Sequence, residues 1–535
     1  MMAERLAKGA AILMAAGVVS KLLGAFYRIP LSRIIEAEGM GLYEMAYPIY
    51  SLLLIMAVSG VPIAVSKLVS EQIAQGKEKE RLRVFAVSLV FLFITGSFFS
   101  GLMYFLAEPI SYGFLGDYRV IYSLRAISPA ILIVSLMAAF RGYFQGLRIM
   151  SATAISQVTE QFVRVITMLA LAYVLVERGI AYGAAGATFG AVTGGLSGLI
   201  IMLLLIPLYG VGPGLLNFFK AILSTLNLVR SVPLVIRLLS IAIPVSLGAL
   251  VMPVMQTLDA MIIPQRLQVA GFSPSEATHL YGYLSGMALR LVSLPTTLSL
   301  ALGYSLVPAL AESTALKKFD LVRSQLGKAI RLTFIFSIPS SVGLFVMAER
   351  LTLLLFGYEG AGDPLRFLAA GTIFLSFQQV SASALQGTGY PVLPVKNLCY
   401  GALVNLVINY YLTAIPQIGI IGGAIGTCTG FLVASIFNFK DIKGKIGLSN
   451  TQLGLIRKPL LSAVAMGAII TYFQPILDNL APNFSVGTVM GMALGAVSYG
   501  IILITCGGIS TDDLESIPKI GPGIAGFIKK IGLGS

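Results

Sequence analysis

The sequence predicts an all-α membrane protein of about fourteen transmembrane helices, arranged as two six-helix parallel-repeat lobes plus two C-terminal helices. Three observations predict it: composition, the length of the apolar runs, and motifs that recur along the chain. The 535 residues are 57% hydrophobic and only 11% charged, where a soluble domain carries roughly 25% charged residues, and the mean hydropathy is +0.89. A bilayer cannot satisfy open backbone groups, so such a chain crosses it as helices or as a closed barrel. Barrel strands alternate apolar and polar residues over about ten positions. Here the runs are long and unbroken, as over 87–101 and 192–207.

Taken in order, the runs place spans near 9–31, 42–70, 84–107, 122–146, 153–176, 182–208, 237–264, 279–311, 328–348, 365–386, 391–414, 418–438, 457–475 and 485–507. Several exceed the roughly 20 residues that a crossing needs, so they tilt, bend or protrude. The charged start, Met1 to Gly9, leads into a first run without a small-residue cleavage pattern close behind it, and reads as the first helix rather than a removable signal. Cys399, Cys428 and Cys506 sit in apolar segments at spacings that fit neither a zinc site nor a disulfide framework.

Three pairs of short motifs recur in the same order. Phe144-Gln145-Gly146 is echoed by Leu385-Gln386-Gly387, Ile29-Pro30 by Ile263-Pro264, and Val61-Pro62 by Leu294-Pro295, at offsets of 241, 234 and 233 residues. An offset of six helices preserves orientation, which makes the halves parallel repeats. The expected organisation is an N-terminal lobe over 1–208, a cytoplasmic interfacial linker over 209–236, a C-terminal lobe over 237–438, and 439–535 holding the last two helices and a tail. That tail ends in a short stretch with two lysines that reads as an interfacial helix.

The net charge of +14 reads as basic cytoplasmic loops rather than a nucleic-acid surface. With the N-terminus inside, 25 Lys and Arg residues fall in cytoplasmic segments and 8 at outer ends. This bias predicts a multi-pass protein of the bacterial cytoplasmic membrane with both termini cytoplasmic.

Ionisable residues within spans are costly and usually face an internal cavity. Lys21 lies near the middle of the first span and Arg28 seven residues later on about the same face. Arg290 lies inside the eighth span beside Pro295, which lacks an N–H and frees a carbonyl one turn back. Glu160 and Arg164 have the i, i+4 spacing of a helix-surface ion pair; an ion pair and a coupling role are both open. Asp259, in the seventh span, can pair with a base, bind a coupling cation or cap backbone. Glu44, Lys67 and Arg125 lie near span ends, where snorkelling accounts for them. The excess of buried cations over carboxylates suits a phosphate-bearing substrate, because guanidinium forks match phosphate oxygens.

Several chemistries are excluded. No Gly-x-x-x-x-Gly-Lys-Ser/Thr loop is present, so ATP is not the direct fuel. The single histidine, His279, permits neither a paired-His metal motif nor a Ser-His-Asp arrangement. No cofactor is expected, and the chain reads as a transporter, not an enzyme. A membrane glycosyltransferase or ligase would carry a large outer loop with acidic or histidine catalysts, and the outer loops are short.

At these same residues the chain resembles a known family. Ser20-Lys21-Leu22-Leu23-Gly24-Ala25-Phe26-Tyr27-Arg28 resembles the first-helix motif of the lipid II flippases. Arg290-Leu291-Val292-Ser293-Leu294-Pro295, with Ala301-Leu302-Gly303 and Pro308-Ala309-Leu310, resembles their eighth helix. The stretch Gly60 to Glu71 looks like the second helix of the stage V sporulation protein B-like polysaccharide exporters. The resemblance covers essentially the whole chain and implies the multidrug/oligosaccharidyl-lipid/polysaccharide exporter superfamily, whose lobes rock around a central cavity. Lys21 stands where the flippases have arginine, and the second arginine is displaced by one residue. The implied function is alternating-access export of a polyprenyl-diphosphate-linked glycan, lipid II or a related cell-wall precursor, with Lys21, Arg28 and Arg290 holding the diphosphate. The partners are then the lipid-linked glycan, membrane lipids and a possible coupling cation, with no nucleic acid. The alternative is a cation-coupled multidrug exporter of the same fold, which predicts an acidic cavity.

Overall fold

The computed structural model describes residues 13, 16–17, 20, 23–24, 26–58, 60–209, 228–447 and 454–508. Most of the first expected span, most of the linker and nearly all of the tail lie outside the described residues. Among those described, every regular element is helical.

The helices, in order, are α1 (Arg28–Ile34), α2 (Glu36–Val58), α3 (Val61–Ala74), α4 (Glu78–Phe105), α5 (Val120–Ile127), α6 (Pro129–Gly146), α7 (Met150–Val176) and α8 (Ile180–Leu208). There follow α9 (Leu228–Val269), α10 (Pro274–Tyr281), α11 (Leu289–Ala315), α12 (Phe319–Val346), α13 (Ala348–Phe356), α14 (Gly362–Ala369), α15 (Gly371–Gly387), α16 (Val392–Leu412), α17 (Ile420–Ile446), α18 (Gly454–Leu480) and α19 (Phe484–Thr505). Twelve of the described helical stretches are long and apolar enough to cross a membrane, thirteen when α14 and α15, bent by 47°, count as one broken span. These account for thirteen of the fourteen expected spans, and most of the first lies outside the described residues.

Several spans are broken where the sequence dictates. α2 and α3 separate at Gly60, whose φ of +76° is in the left-handed region and open to glycine without steric cost. A β-carbon there would also strike the Ala242 carbonyl. Pro62 then falls in the first turn of α3, where its missing N–H costs nothing. The Thr95 hydroxyl donates to the Ala57 carbonyl at 3.1 Å, serving a backbone group near the break. A π-helical segment, Gly282–Ala288, leads into α11.

The described residues fall into two compact units. The first runs to Gln268 and includes Phe272–Gly282; the second comprises Val269–Gly271 and everything from Tyr283 onward. In the first unit α8 carries Gly186, Gly190, Gly194 and Gly198 along one face, set against Leu171, Met168, Arg164 and Glu160 of α7. Small residues let membrane helices approach closely where no hydrophobic drive separates helix from lipid. α9 is held in this unit by Arg237–Glu71 at 2.6 Å and by Gln265 donating to the Phe114 carbonyl at 2.7 Å.

The second unit repeats the seam. Gly426 and Gly430 of α17 lie against Asn409 and Asn405 of α16. The two terminal helices are fastened to it by Arg350, whose guanidinium grips Asp478 at 3.0 and 2.5 Å. At the other end of these helices Arg331 and Lys458 donate to the carbonyls of Gly508 and Gly507. Asn397 bonds Asn438 at 3.0 Å and Asp441 at 2.7 Å, and Asn438 bonds Ser381 at 3.0 Å, so this buried polar group is internally satisfied.

The repeat has one dominant register. α4 and α12 start and end 241 residues apart. The left-handed positions Gly76 and Lys317, Gly116 and Gly357, and Arg148 and Gly389 are separated by the same offset. So are the contacts of Gly146 with Ser66 and Val69, and of Gly387 with Val307 and Leu310. This corrects two sequence echoes, for Ile29-Pro30 then falls opposite Ala270-Gly271 rather than Ile263-Pro264. Pro62 meets Gly142 as Gly303 meets Ser383, so the counterpart of Val61-Pro62 is Leu302-Gly303, and Leu294-Pro295 lies a little over two turns upstream.

Candidate functional site: a buried polar interior in the first unit

The polar interior of the first unit is built from α1, α2, α6 and α7. On α2, Tyr43, Tyr47 and Tyr50 are spaced by four and three residues and so share a face. Tyr43 and Tyr47 stack with ring centroids 5.5 Å apart, and Tyr47 and Tyr50 follow at 5.6 Å. The hydroxyls of Tyr27 and Tyr43 are 3.1 Å apart. Beside this ladder the Arg28 guanidinium is paired with Glu44 and lies 5.5 Å from the Tyr27 ring centroid and 5.9 Å from that of Tyr43. The side chains of Arg28 and Glu44 are only 9% and 3% exposed.

The second cluster centres on Glu160. Arg164 donates to one carboxylate oxygen at 2.6 Å and Arg141 to the other at 2.8 Å. Arg141 also bonds the Ser156 hydroxyl at 2.9 Å, and that hydroxyl donates to the Gly198 carbonyl at 3.0 Å. Glycines make this possible. A β-carbon at Gly194 would stand 2.7 Å from both the Arg164 Cβ and the Glu160 carbonyl, pushing α8 off the charged stretch of α7. Arg164 is also within electrostatic range of Tyr47, Tyr50 and Tyr43, which joins the two clusters. Together they hold three arginines against two carboxylates.

The residues singled out from the sequence are distributed as follows. Lys21 lies outside the described residues, although its neighbours Gly17 and Gly24 approach the side-chain amides of Gln157 and Gln161 on α7. Arg28 is taken up by Glu44. Glu160 and Arg164 form the ion pair their spacing allows. Asp259 is partly buried on α9. Arg290 is the second residue of α11, directly after the π-helical segment, partly buried, with its carbonyl accepting from the Ser293 hydroxyl at 2.7 Å. It belongs to the second unit, whereas Arg28, Glu160, Arg164 and Asp259 belong to the first.

Two residues of this polar interior escaped the sequence reading. Glu44 was expected near a span end. α2 in fact begins at Glu36, so Glu44 lies inside the helix and is 2% exposed; this corrects its assignment as a snorkelling residue. Arg141, one of the 25 Lys and Arg residues that the sequence places in cytoplasmic segments, bonds Glu160. The signal for Glu44 was present in Tyr43-Glu44-Met45-Ala46-Tyr47, a carboxylate enclosed by aromatic and apolar residues.

A second feature lies in the second unit. An apolar cavity of 440 Å³ opens between α11, α12, α18 and α19, lined by Pro295, Phe336, Pro339, Met466 and Met492 among others. The Tyr499 hydroxyl on its wall is satisfied by the Ile335 carbonyl at 2.8 Å.

Comparison with known proteins bears on this arrangement. The family described as "Polysaccharide biosynthesis protein" matches residues 6–314, and the MatE family matches 284–411. Stage V sporulation protein B of Bacillus subtilis (strain 168) is 30% identical over 521 residues, 96% of this chain and 98% of that protein. Lipid II flippase MurJ of the same organism is 26% identical over 551 residues, 99% of each. Among solved structures, a lipid II flippase MurJ in an inward closed conformation superposes with a TM-score of 0.67 at 16% identity, covering 92% of this chain and 98% of that one. An inward-facing multidrug resistance MATE family transporter of the MOP superfamily gives 0.65 at 15% identity, covering 82% and 98%. The structural likenesses establish the fold, and the sequence matches establish descent: this multi-pass membrane protein belongs to the polysaccharide biosynthesis protein family.

Proposed function

We propose that the protein moves a polyprenyl-diphosphate-linked glycan, lipid II or a related precursor, across the cytoplasmic membrane by alternating access. The sequence repeats over 1–208 and 237–438 act as the moving lobes, and both termini face the cytoplasm. The observation that carries the reading is the interior of the first unit, where three arginines and two carboxylates lie beside a tyrosine ladder at membrane depth. An anionic headgroup with sugars attached suits such a lining: cations for phosphate, and ring faces and hydroxyls for the glycan. The apolar cavity of the second unit is suited to hydrocarbon. Similarity over nearly the full length to a protein described as a lipid II flippase supports the same substrate class. Lys21, Arg28 and Arg290 are assigned to the diphosphate, Arg28 requiring Glu44 to release or share it. In this reading the chain makes and breaks no covalent bond.

The match of residues 284–411 to the MatE family favours a second reading, cation-coupled drug export. Proteoliposomes separate the two. Flipping of a labelled lipid-linked glycan is expected; efflux of a cationic dye without glycan flipping would overturn the proposal in favour of drug export.

A further inference from the structure

The charges around Glu160 do not balance. One carboxylate serves two guanidiniums, Arg141 at 2.8 Å and Arg164 at 2.6 Å. Arg141 has a second partner in Ser156. Arg164 has no second partner: its Nε is buried and meets no acceptor among the described residues. A buried donor left unmade is costly, and an uncompensated cation at membrane depth is costlier. Sequence and packing nevertheless hold it in place. Gly190 and Gly194 of α8 press against the Arg164 backbone and Cβ. Gln157 and Gln161 lie two turns and one turn before it on α7, and the Tyr47–Tyr50 end of the aromatic ladder lies within its electrostatic range. The Arg164 side chain as a whole is 13% exposed.

We propose that Arg164 is the anion-receiving residue of the first unit, exchanging its share of Glu160 for a phosphate or carboxylate oxygen of the substrate. This rests on the lipid-linked glycan reading. A bidentate anion would satisfy the stranded N–H and cancel the surplus charge, while Arg141 keeps Glu160 neutralised. Two sources offer that chemistry: the diphosphate of the lipid carrier and an acidic sugar of the glycan.

The test uses the full-length protein in nanodiscs and two probes, a polyprenyl diphosphate without sugar and a soluble uronic-acid tetrasaccharide, measured by equilibrium binding. Arg164→Gln is expected to weaken one probe by about 10- to 150-fold, the range for a lost charged hydrogen bond; the probe affected identifies the source. Glu160→Gln releases both arginines and is expected to tighten the same probe. Lower thermal stability is expected of Glu160→Gln in either case; a purely structural triad predicts no gain in affinity. Arg164→Lys, which keeps the charge beside Glu160, guards against misfolding and is expected to retain the wild-type melting temperature with weakened binding. Failure of both probes to bind wild type, or equal binding by wild type, Arg164→Gln and Arg164→Lys, would overturn the inference. A separate arm measures flipping of labelled lipid-linked glycan. Its absence in wild type sinks the transport reading, whereas flipping that is indifferent to Arg164→Gln sinks only the role of Arg164.

Discussion

Replacing Glu44 with glutamine should destabilise the protein far more than its place in a membrane helix suggests. The carboxylate and its partner Arg28 are 3% and 9% exposed, so neither charge has water to fall back on. Removing one member of such a pair leaves an unpaired buried charge, at a cost of about 3–5 kcal/mol. Arg28→Gln breaks the same pair and should also destabilise. The double variant places two neutral amides side by side, with no charge left to desolvate, and should be much less damaged than the sum of the singles. A coupling energy of about 3 kcal/mol or more is expected, at the top of the range for contacting residues. The assay is reversible unfolding of purified protein in mixed micelles, followed by helical circular dichroism, for wild type, both singles and the double. Additive effects, or a Glu44→Gln variant within about 0.5 kcal/mol of wild type, a change typical of an uninvolved surface site, would refute a buried pair.

Three further outcomes follow from other contacts. Gly194→Val should separate α8 from α7 and lower stability by about 1–3 kcal/mol, as overpacking does, measurable as a fall in melting temperature. Arg350→Ala should loosen the two terminal helices, seen as faster hydrogen exchange over 454–505, with α7 and α8 unaffected; uniform exchange throughout would contradict the anchor. Arg290→Ala should reduce lipid-linked glycan transport by about 10- to 150-fold in a protein that still inserts, and Lys21→Arg should be tolerated where Lys21→Glu is inactive.

The span pattern was legible because it depends only on long apolar runs, and thirteen of the fourteen ranges overlap described crossing stretches. The repeat was legible through Gln145 and Gln386, which hold the 241-residue register. It was misread at Pro295 because a dipeptide says nothing about which glycine it packs against. The candidate site was only half legible. Spacing reveals Glu160 with Arg164, since partners four residues apart share a helix face. Arg28 with Glu44, and Arg141 with Glu160, join residues 16 and 19 positions apart across separate helices. Such pairings are settled by how helices pack, and periodicity along one helix does not encode them.

The proline positions of α9 carry a mechanical consequence. This helix of 42 residues contains Pro233, Pro244, Pro253 and Pro264. At about 3.6 residues per turn, the first two project from nearly the same side and the last two from the opposite side. The side chains agree, the first pair exposed and the second buried. A bend at the first pair and a bend at the second therefore run in opposite senses. A rod with paired, opposed bends behaves as a crank: changing the bends together shifts one end sideways while its direction stays nearly constant. α9 thereby has the geometry to convert a lateral push at one end into a parallel displacement at the other without unwinding.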